Sequence, residues 1–271
     1  MHTIRHRAII AAAAAALIGI TWAFAAPTNS VYLPLVTVPA IATTATTAPT
    51  TTTPPTQNPL HTGQATYYFG ANGTGNCAFD AIPGDLMVAA ISYLNYSDPQ
   101  PAAYCGAYAE VTGPKGTITV RVVDKCPDVP DNPTSPTTGC GSWHLDLSPE
   151  AFDLIADRNL GRVPISWRIV SPSLSGPISY HFKDGSNQWW TAVQIRNHRT
   201  PIAKLEYQNS QGQWVNVERL DYNYFVAPNG MGPGPYTFRV TDSYGNILQD
   251  SGIIGGDNVS RSGAAQFPKG P

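Results

Sequence analysis

Charge is scarce in this chain: only 13% of its 271 residues are Asp, Glu, Lys or Arg. Coiled coils, helix bundles and charge-rich disordered chains need more than that, so these classes are excluded. No acidic residue precedes Asp80, and of the 16 basic residues only Arg5 and Arg7 lie before residue 60. The remainder carries 14 basic against 18 acidic side chains, a net charge of −4, which excludes an electrostatic binder of nucleic acid. Zinc-type Cys-x-x-Cys spacing is missing, as is the Gly-x-Ser-x-Gly elbow of serine hydrolases. His61, His144, His181 and His198 show no metal or triad spacing, so neither a metal nor a cofactor is expected. The chain is rich in glycine and proline instead, with 24 and 25. Breakers at that density favour short strands joined by turns.

The first 59 residues read as an address and a tether. Met1 to Ala26 has the form of a secretory signal: Arg5 and Arg7, the apolar run Ala8 to Ile20, then Ala23-Phe24-Ala25 as a small-x-small cleavage site. The run is too short for a convincing spanning helix, although an uncleaved anchor is the competing reading. A secreted protein with no membrane contact after cleavage is expected. Residues 27–59 are rich in Thr, Pro and Ala and carry no charge. Such a segment cannot bury enough surface to order itself and reads as a disordered, semi-extended linker.

Residues 60–172 and 173–271 read as two domains, with Ser171 to Pro177 at their boundary. In the first, Thr117 to Asp124 alternates strictly, Ile118, Val120 and Val122 sharing one face, and Arg162 to Val170 alternates in the same way. Between them one helix is predicted, with Ser148 as N-cap, Pro149 at the first helical position and Gly161 just past the end. Strands with one short helix fit a small β-barrel. The second domain reads as pure β, with strands near 190–195, 203–207, 214–220, 236–241 and 247–248, as in an immunoglobulin-like sandwich. Cys77, Cys105, Cys126 and Cys140 make an even count in an exported chain, which indicates two disulfides. Three pairings are open. Cys77 with Cys105 and Cys126 with Cys140 is favoured, because the second pair would close a loop full of Pro, Asn and Thr.

Two carboxylates stand out. Asp124 ends its strand in phase with the apolar face, where an ionised carboxylate is costly to bury, so it should sit at a barrel mouth or have a raised pKa. Asp146 lies between Leu145 and Leu147 and should face away from them. In both cases the plainer alternative is a turn residue accepting backbone N–H bonds. Trp189 and Trp190, with Tyr222 and Tyr224, offer aromatic faces on which sugar rings stack. Strand alternation would bury one tryptophan, and Trp189 is the one in phase with Thr191, Val193 and Ile195.

Together these pieces resemble the expansin family, in particular the microbial expansin-like proteins. The matching stretches are Gly63 to Tyr68, Asp80 to Pro83, Glu110 to Gly116, Val123-Asp124 and His144 to Phe152. Lys183 to Trp190, Gln194 to His198 and Asp221 to Asn223 follow in order, so the resemblance spans both domains. It implies an all-β fold, a double-psi β-barrel followed by an immunoglobulin-like carbohydrate-binding domain, with one open polysaccharide groove across both. By position, Thr66, Asp124 (acid-like) and Asp146 would line the barrel's part of the groove. Trp189, Trp190 and Tyr222 would form a stacking platform, with Lys183 beside it. The resemblance places the tryptophan pair at a strand start, where alternation need not hold. It implies a non-hydrolytic wall-loosening protein that lacks a base to activate water. Cys126 stands where many bacterial relatives have tyrosine, and the long loop after it holds Asp128 and Asp131, either of which could supply a base. The expected partner is a neutral wall glucan (cellulose, xyloglucan or xylan), bound by a monomer with weak salt dependence. The alternative is an endoglucanase or peptidoglycan lytic transglycosylase with Asp124 as acid.

Overall fold

The computed structural model describes residues 58–127 and 139–270. The signal, most of the linker, Asp128 and Asp131 lie outside the described residues. Six strands build the first domain: β1 (His61–Tyr67), β2 (Val88–Ser92), β3 (Tyr108–Gly113), β4 (Gly116–Cys126), β5 (Leu145–Leu147) and β6 (Val163–Val170). They close into a barrel in the order β1-β5-β2-β4-β3-β6. Pairs β1–β5 and β2–β4 are parallel, and the other four are antiparallel. The alternation read in β6 is realised, with Val163, Ile165, Trp167 and Ile169 all buried. Val120 and Val122 of β4 join them in the interior.

Two features differ from the reading above. Among the described residues there are two α-helices rather than one. α1 (Tyr93–Tyr96) is a single turn, capped by the Ser92 hydroxyl accepting from Leu94 N–H, and is too short to show a helical period in the sequence. α2 (Pro149–Ile155) has the predicted cap, Ser148 accepting from Ala151 N–H at 3.0 Å, but ends early at an extended Ala156. Asp157 then caps a separate 3-10 turn over Arg158–Leu160, and it is this turn that Gly161 closes at φ 65°.

The second difference is a bulge. Ala89 of β2 pairs with Val122, but Ala90 pairs with Asp124, so Val123 is an extra residue on β4. An inserted residue reverses the phase that follows it. Asp124 therefore stands on the opposite face from Val122, on the outside of the barrel and half-buried.

The second domain contains β7 (Ser179–Phe182), β8 (Thr191–Arg196), β9 (Ile202–Gln208), β10 (Trp214–Arg219), β11 (Phe225–Ala227), β12 (Tyr236–Asp242), β13 (Ile247–Ile253) and β14 (Val259–Ser262). Their order, β13-β12-β9-β10-β11-β8-β7-β14, forms one continuous ladder. The ladder folds on itself at β10 and β11. Tyr180 of β7 stacks on Phe238 of β12 with ring centroids 5.0 Å apart, although four strands intervene along the ladder. That contact makes the domain a two-layer sandwich.

Val193 and Ile195 of β8 point into this sandwich core, whereas Ala192 and Gln194 on its other face are also fully buried. The barrel covers them. Gln194 donates to the Cys77 carbonyl (2.9 Å), Asn223 to the same oxygen (3.1 Å), and Gln100 to the Ile202 carbonyl (3.1 Å). Disulfides join Cys77 to Cys105 and Cys126 to Cys140, the favoured pairing.

Candidate functional site

Strand register assembles the barrel's part of the site. Thr66 of β1 pairs with Asp146 of β5, Asp146 with Ala90 of β2, and Ala90 with Asp124 of β4. Cross-strand partners share a face, so these four side chains form one lateral row on the outer wall of the barrel. Adjacent strands are about 4.8 Å apart, which puts the two aspartates roughly 10 Å apart at Cα, with only an alanine methyl between them. Thr66 and Asp146 of this row line an open groove together with Phe69, Leu160 and the Cys126–Cys140 disulfide.

Asp146 is the more elaborately held of the two carboxylates. Thr66 Oγ1 donates to its Oδ1 at 2.5 Å. His144 Nε2 lies 2.9 Å from the same hydroxyl oxygen, and His144 Nδ1 lies 3.2 Å from Arg162 Nη1. Because the threonine proton is committed to Asp146, its oxygen accepts from His144 Nε2–H. Nδ1 is then the lone pair that accepts from Arg162. The chain Arg162→His144→Thr66→Asp146 fixes every donor in turn, and Arg162 is itself anchored on Gln64 Oε1 at 2.9 Å. Burial, then the charge of Arg162, lower the His144 pKa to about 4, so the ring is neutral. Burial raises the Asp146 pKa, with the Thr66 hydrogen bond and Arg162 opposing and Asp124 adding to the rise.

Asp124 is bound by backbone instead. Its Oδ1 accepts from Asn76 N–H (2.6 Å) and Lys125 N–H (2.8 Å). Gly75, at φ 154°, is required there, since a Cβ would fall 2.3 Å from Asp124 Cγ. Asn76 also donates from Nδ2 to the Asp221 carbonyl (2.9 Å), and Lys125 Nζ pairs with Asp221 Oδ2 (2.6 Å). The next residue is Tyr222, so Asp124 braces the loop that ties the groove to the sandwich.

The aromatic platform lies beyond that tie. Trp190 and Tyr222 are half-buried around Ala192, Tyr224 and Val226 on the outer face of the sandwich. Trp189 is 72% exposed, not buried as its phase predicted. The reason is local: β8 begins only at Thr191, and Asn187 to Trp190 is a turn closed by Asn187 N–H on the Trp190 carbonyl at 2.7 Å. Asn187 Oδ1 accepts from the backbone N–H groups of both Trp189 (2.9 Å) and Trp190 (3.2 Å), fixing the backbone that carries the two indoles. Lys183 N–H bonds the Ala192 carbonyl at 3.0 Å, which sets Lys183 on the platform's face.

Several site residues escaped the sequence reading. Tyr68, two positions after Thr66 and so on the same face, packs on Ala90, Cys126 and Cys140. Burial first, then Asp124 and Asp146, push its phenol pKa up, so it keeps its proton. Its buried hydroxyl has no partner among the described residues. His144 shows the same spacing signal, two before Asp146. Phe69, 78% exposed on the groove rim, adds an aromatic surface beyond the row. Among the described residues no group of three or more His, Cys, Asp or Glu is placed to hold a metal ion.

Residues 61–167 match the family described as lytic transglycolase. Over 194 residues the chain is 40% identical to Expansin-YoaJ of Bacillus subtilis, covering 71% of this chain and 78% of that protein. It is 32% identical to Expansin-like protein 2 of Dictyostelium discoideum over 178 residues, which is 64% of this chain and 42% of that longer protein. A crystal structure of a mutant Clavibacter michiganensis expansin in complex with cellohexaose superposes with a TM-score of 0.67 at 36% identity. That match covers 77% of this chain and 98% of the other.

Proposed function

The chain belongs to the expansin family, and on that premise we propose that it is a secreted, monomeric protein that binds neutral wall glucan and loosens it without hydrolysis. Cellulose is the leading ligand, with xyloglucan or xylan as chemically similar alternatives. The observation that carries the reading is the register-aligned row Thr66–Asp146–Ala90–Asp124, continuous through Asn76 and Asp221 with the Trp190 and Tyr222 platform.

The chemistry of that surface suits an uncharged sugar. Trp189 offers an exposed indole face to the axial C–H surface of a glucose ring. In the groove, the half-buried Asp146 carboxyl, oriented by the Thr66 hydroxyl, is placed to hydrogen-bond sugar hydroxyls. A hydrolase of the inverting type needs a second carboxylate free to activate water. Asp124 Oδ1 is committed to two backbone N–H groups, which suits a brace better than a base. Binding free energy gained along groove and platform then competes with the contacts between neighbouring chains in the wall.

A second reading, weak cleavage of a glycan, has one observation in its favour. The barrel matches a lytic transglycolase family and holds a half-buried carboxyl with a raised pKa, as a general acid requires. In that reading the acid is Asp146 rather than Asp124. The test is to incubate the secreted chain with cellulose, xylan and peptidoglycan and search for soluble fragments by mass spectrometry, with Asp146→Asn in parallel. Retention on cellulose with no fragments is expected. Fragments that disappear in Asp146→Asn would establish cleavage, and failure to be retained on any of the three polymers would sink both readings.

A further inference from the structure

Among the described residues only two aromatic side chains are mostly exposed, Trp189 and Phe69. Trp189 belongs to the platform on the sandwich, whereas Phe69 lines the barrel's groove with Thr66 and Asp146. β1 ends at Tyr67, Tyr68 N–H adds one more rung on the Leu147 carbonyl (3.0 Å), and Phe69 then opens a turn that Gly70 takes at φ 85°. Three residues separate Phe69 from Thr66, which carries its backbone up to about 10 Å further along the strand direction. The ring therefore stands beyond the Thr66–Asp146 pair rather than over it.

A phenyl ring at an exposed turn has little to hold it, but this one is braced. It meets the Tyr67 ring edge to face at 89°, with centroids 5.7 Å apart, and Tyr67 in turn packs on the buried Phe152 at 5.1 Å. Arg158 lies 5.7 Å from the same Tyr67 centroid and is pinned by Asp153, its Nε donating to Oδ1 at 2.8 Å. Arg158 also begins the 3-10 turn whose last residue, Leu160, is exposed and lines the same groove. Two water-exposed apolar groups are thus mounted on one braced assembly beside the polar Thr66, Asp146 and Arg162. Single exposed apolar residues need no explanation, but a fixed pair rimmed by polar groups in one groove marks a ligand surface.

The polar neighbours define the ligand. Arg162 already donates to Gln64, His144 and the Gly139 carbonyl, so it offers little to an anion. What remains is an apolar face beside a carboxyl that accepts hydroxyl protons. That is the complement of a neutral pyranose ring, apolar on its axial C–H face and hydroxylated around its edge. We propose that Phe69 is a sugar-stacking residue: with Leu160 it forms a subsite for one pyranose ring of a neutral polysaccharide and so holds the neighbouring rings over Asp146. That the chain is a wall glucan rests on the functional reading above. The stacking is a separate claim, because the retention on cellulose expected there is carried by the platform.

The test is a titration of the full chain, isotopically labelled at phenylalanine, with cellohexaose, followed by NMR on the Phe69 ring signals that Phe69→Ala identifies by their loss. Those signals should move saturably, and equally at low and high salt. In constant-load extension of a cellulose composite, Phe69→Ala should cut the response at least about fivefold, the loss of one aromatic contact. Its retention on cellulose should stay within about twofold of the parent and its melting temperature within about a degree, as is usual at exposed positions. Phe69→Trp, which keeps a flat face, should restore extension, and Phe69→Leu, which keeps only apolar area, should not. Ring signals unmoved by cellohexaose, undiminished extension by Phe69→Ala, or equal extension by Phe69→Leu and Phe69→Trp each overturns the proposal. A chain whose Phe69 signals respond to cellohexaose, but which neither stays on cellulose nor extends it, would refute the loosening reading and leave this subsite standing.

Discussion

Replacing Trp189 with alanine should separate binding from stability cleanly. A tryptophan offers roughly 250 Å² of surface. With 72% of it exposed, about 180 Å² is available, and a flat glucan chain lying on one face covers about half. At about 25 cal/mol per Å² that face is worth roughly 2 kcal/mol, a loss of about thirtyfold in affinity. The indole makes few core contacts, so the melting temperature should stay within about a degree of the parent, as is usual for exposed positions. Tyr224→Phe gives the contrast, since Tyr224 is buried beneath the platform and presents no face to a ligand. The assay is a depletion isotherm on crystalline cellulose beside a thermal melt. A Trp189→Ala isotherm within twofold of the parent would refute stacking on this indole. An equal fall in affinity and melting temperature would instead mean that Trp189 acts through the fold.

The other expectations concern the groove and its buried histidines. Asp146 should titrate above the usual carboxylate range in an NMR pH series. Thr66→Val, which deletes the hydrogen bond that opposes the rise, should move it higher still, and an unchanged value would contradict the relay. Stability should fall as pH drops from about 7 toward 5. His144 and His198 have folded-state pKa values of about 4 and 3 against 6.5, so the unfolded chain takes up their protons first. Two such groups give a slope of up to about 2.7 kcal/mol per pH unit through that window, readable from urea unfolding at several pH values. Their stabilisation is complete above about 6.5 and is lost toward their folded-state values. Asp146, with its pKa raised, works in the opposite sense at the acidic end. A flat profile between pH 7 and 5 would count against both histidines being buried neutral.

Much of the barrel was legible because β4 and β6 bury alternate residues, and Ser148-Pro149 begins a helix by local chemistry. The Leu145-Asp146-Leu147 alternation gave the correct face for Asp146. What failed depended on strand partners and on a turn that the residue pattern does not display. Asp124 was phased to the apolar face because the bulge at Val123 exists only relative to β2. Trp189 was phased inward because the turn that frees it is set by Asn187, whose side chain is indistinguishable in sequence from a solvated amide. His144 was passed over because metal and triad patterns were sought along the chain, while its ring partners Thr66 and Arg162 come from 78 and 18 residues away. The carboxylates became a site only through the resemblance and the register, since neither alternation nor spacing shows that Ala90 sits between them.

The central claim is that groove and platform act as one mechanical surface, and constant-load extension of a cellulose–xyloglucan composite tests it most directly. The parent protein should increase extension without releasing soluble sugar. Asp146→Asn should abolish extension while retaining cellulose binding, because the platform is untouched. Undiminished extension by Asp146→Asn, or extension accompanied by soluble fragments, would contradict the account.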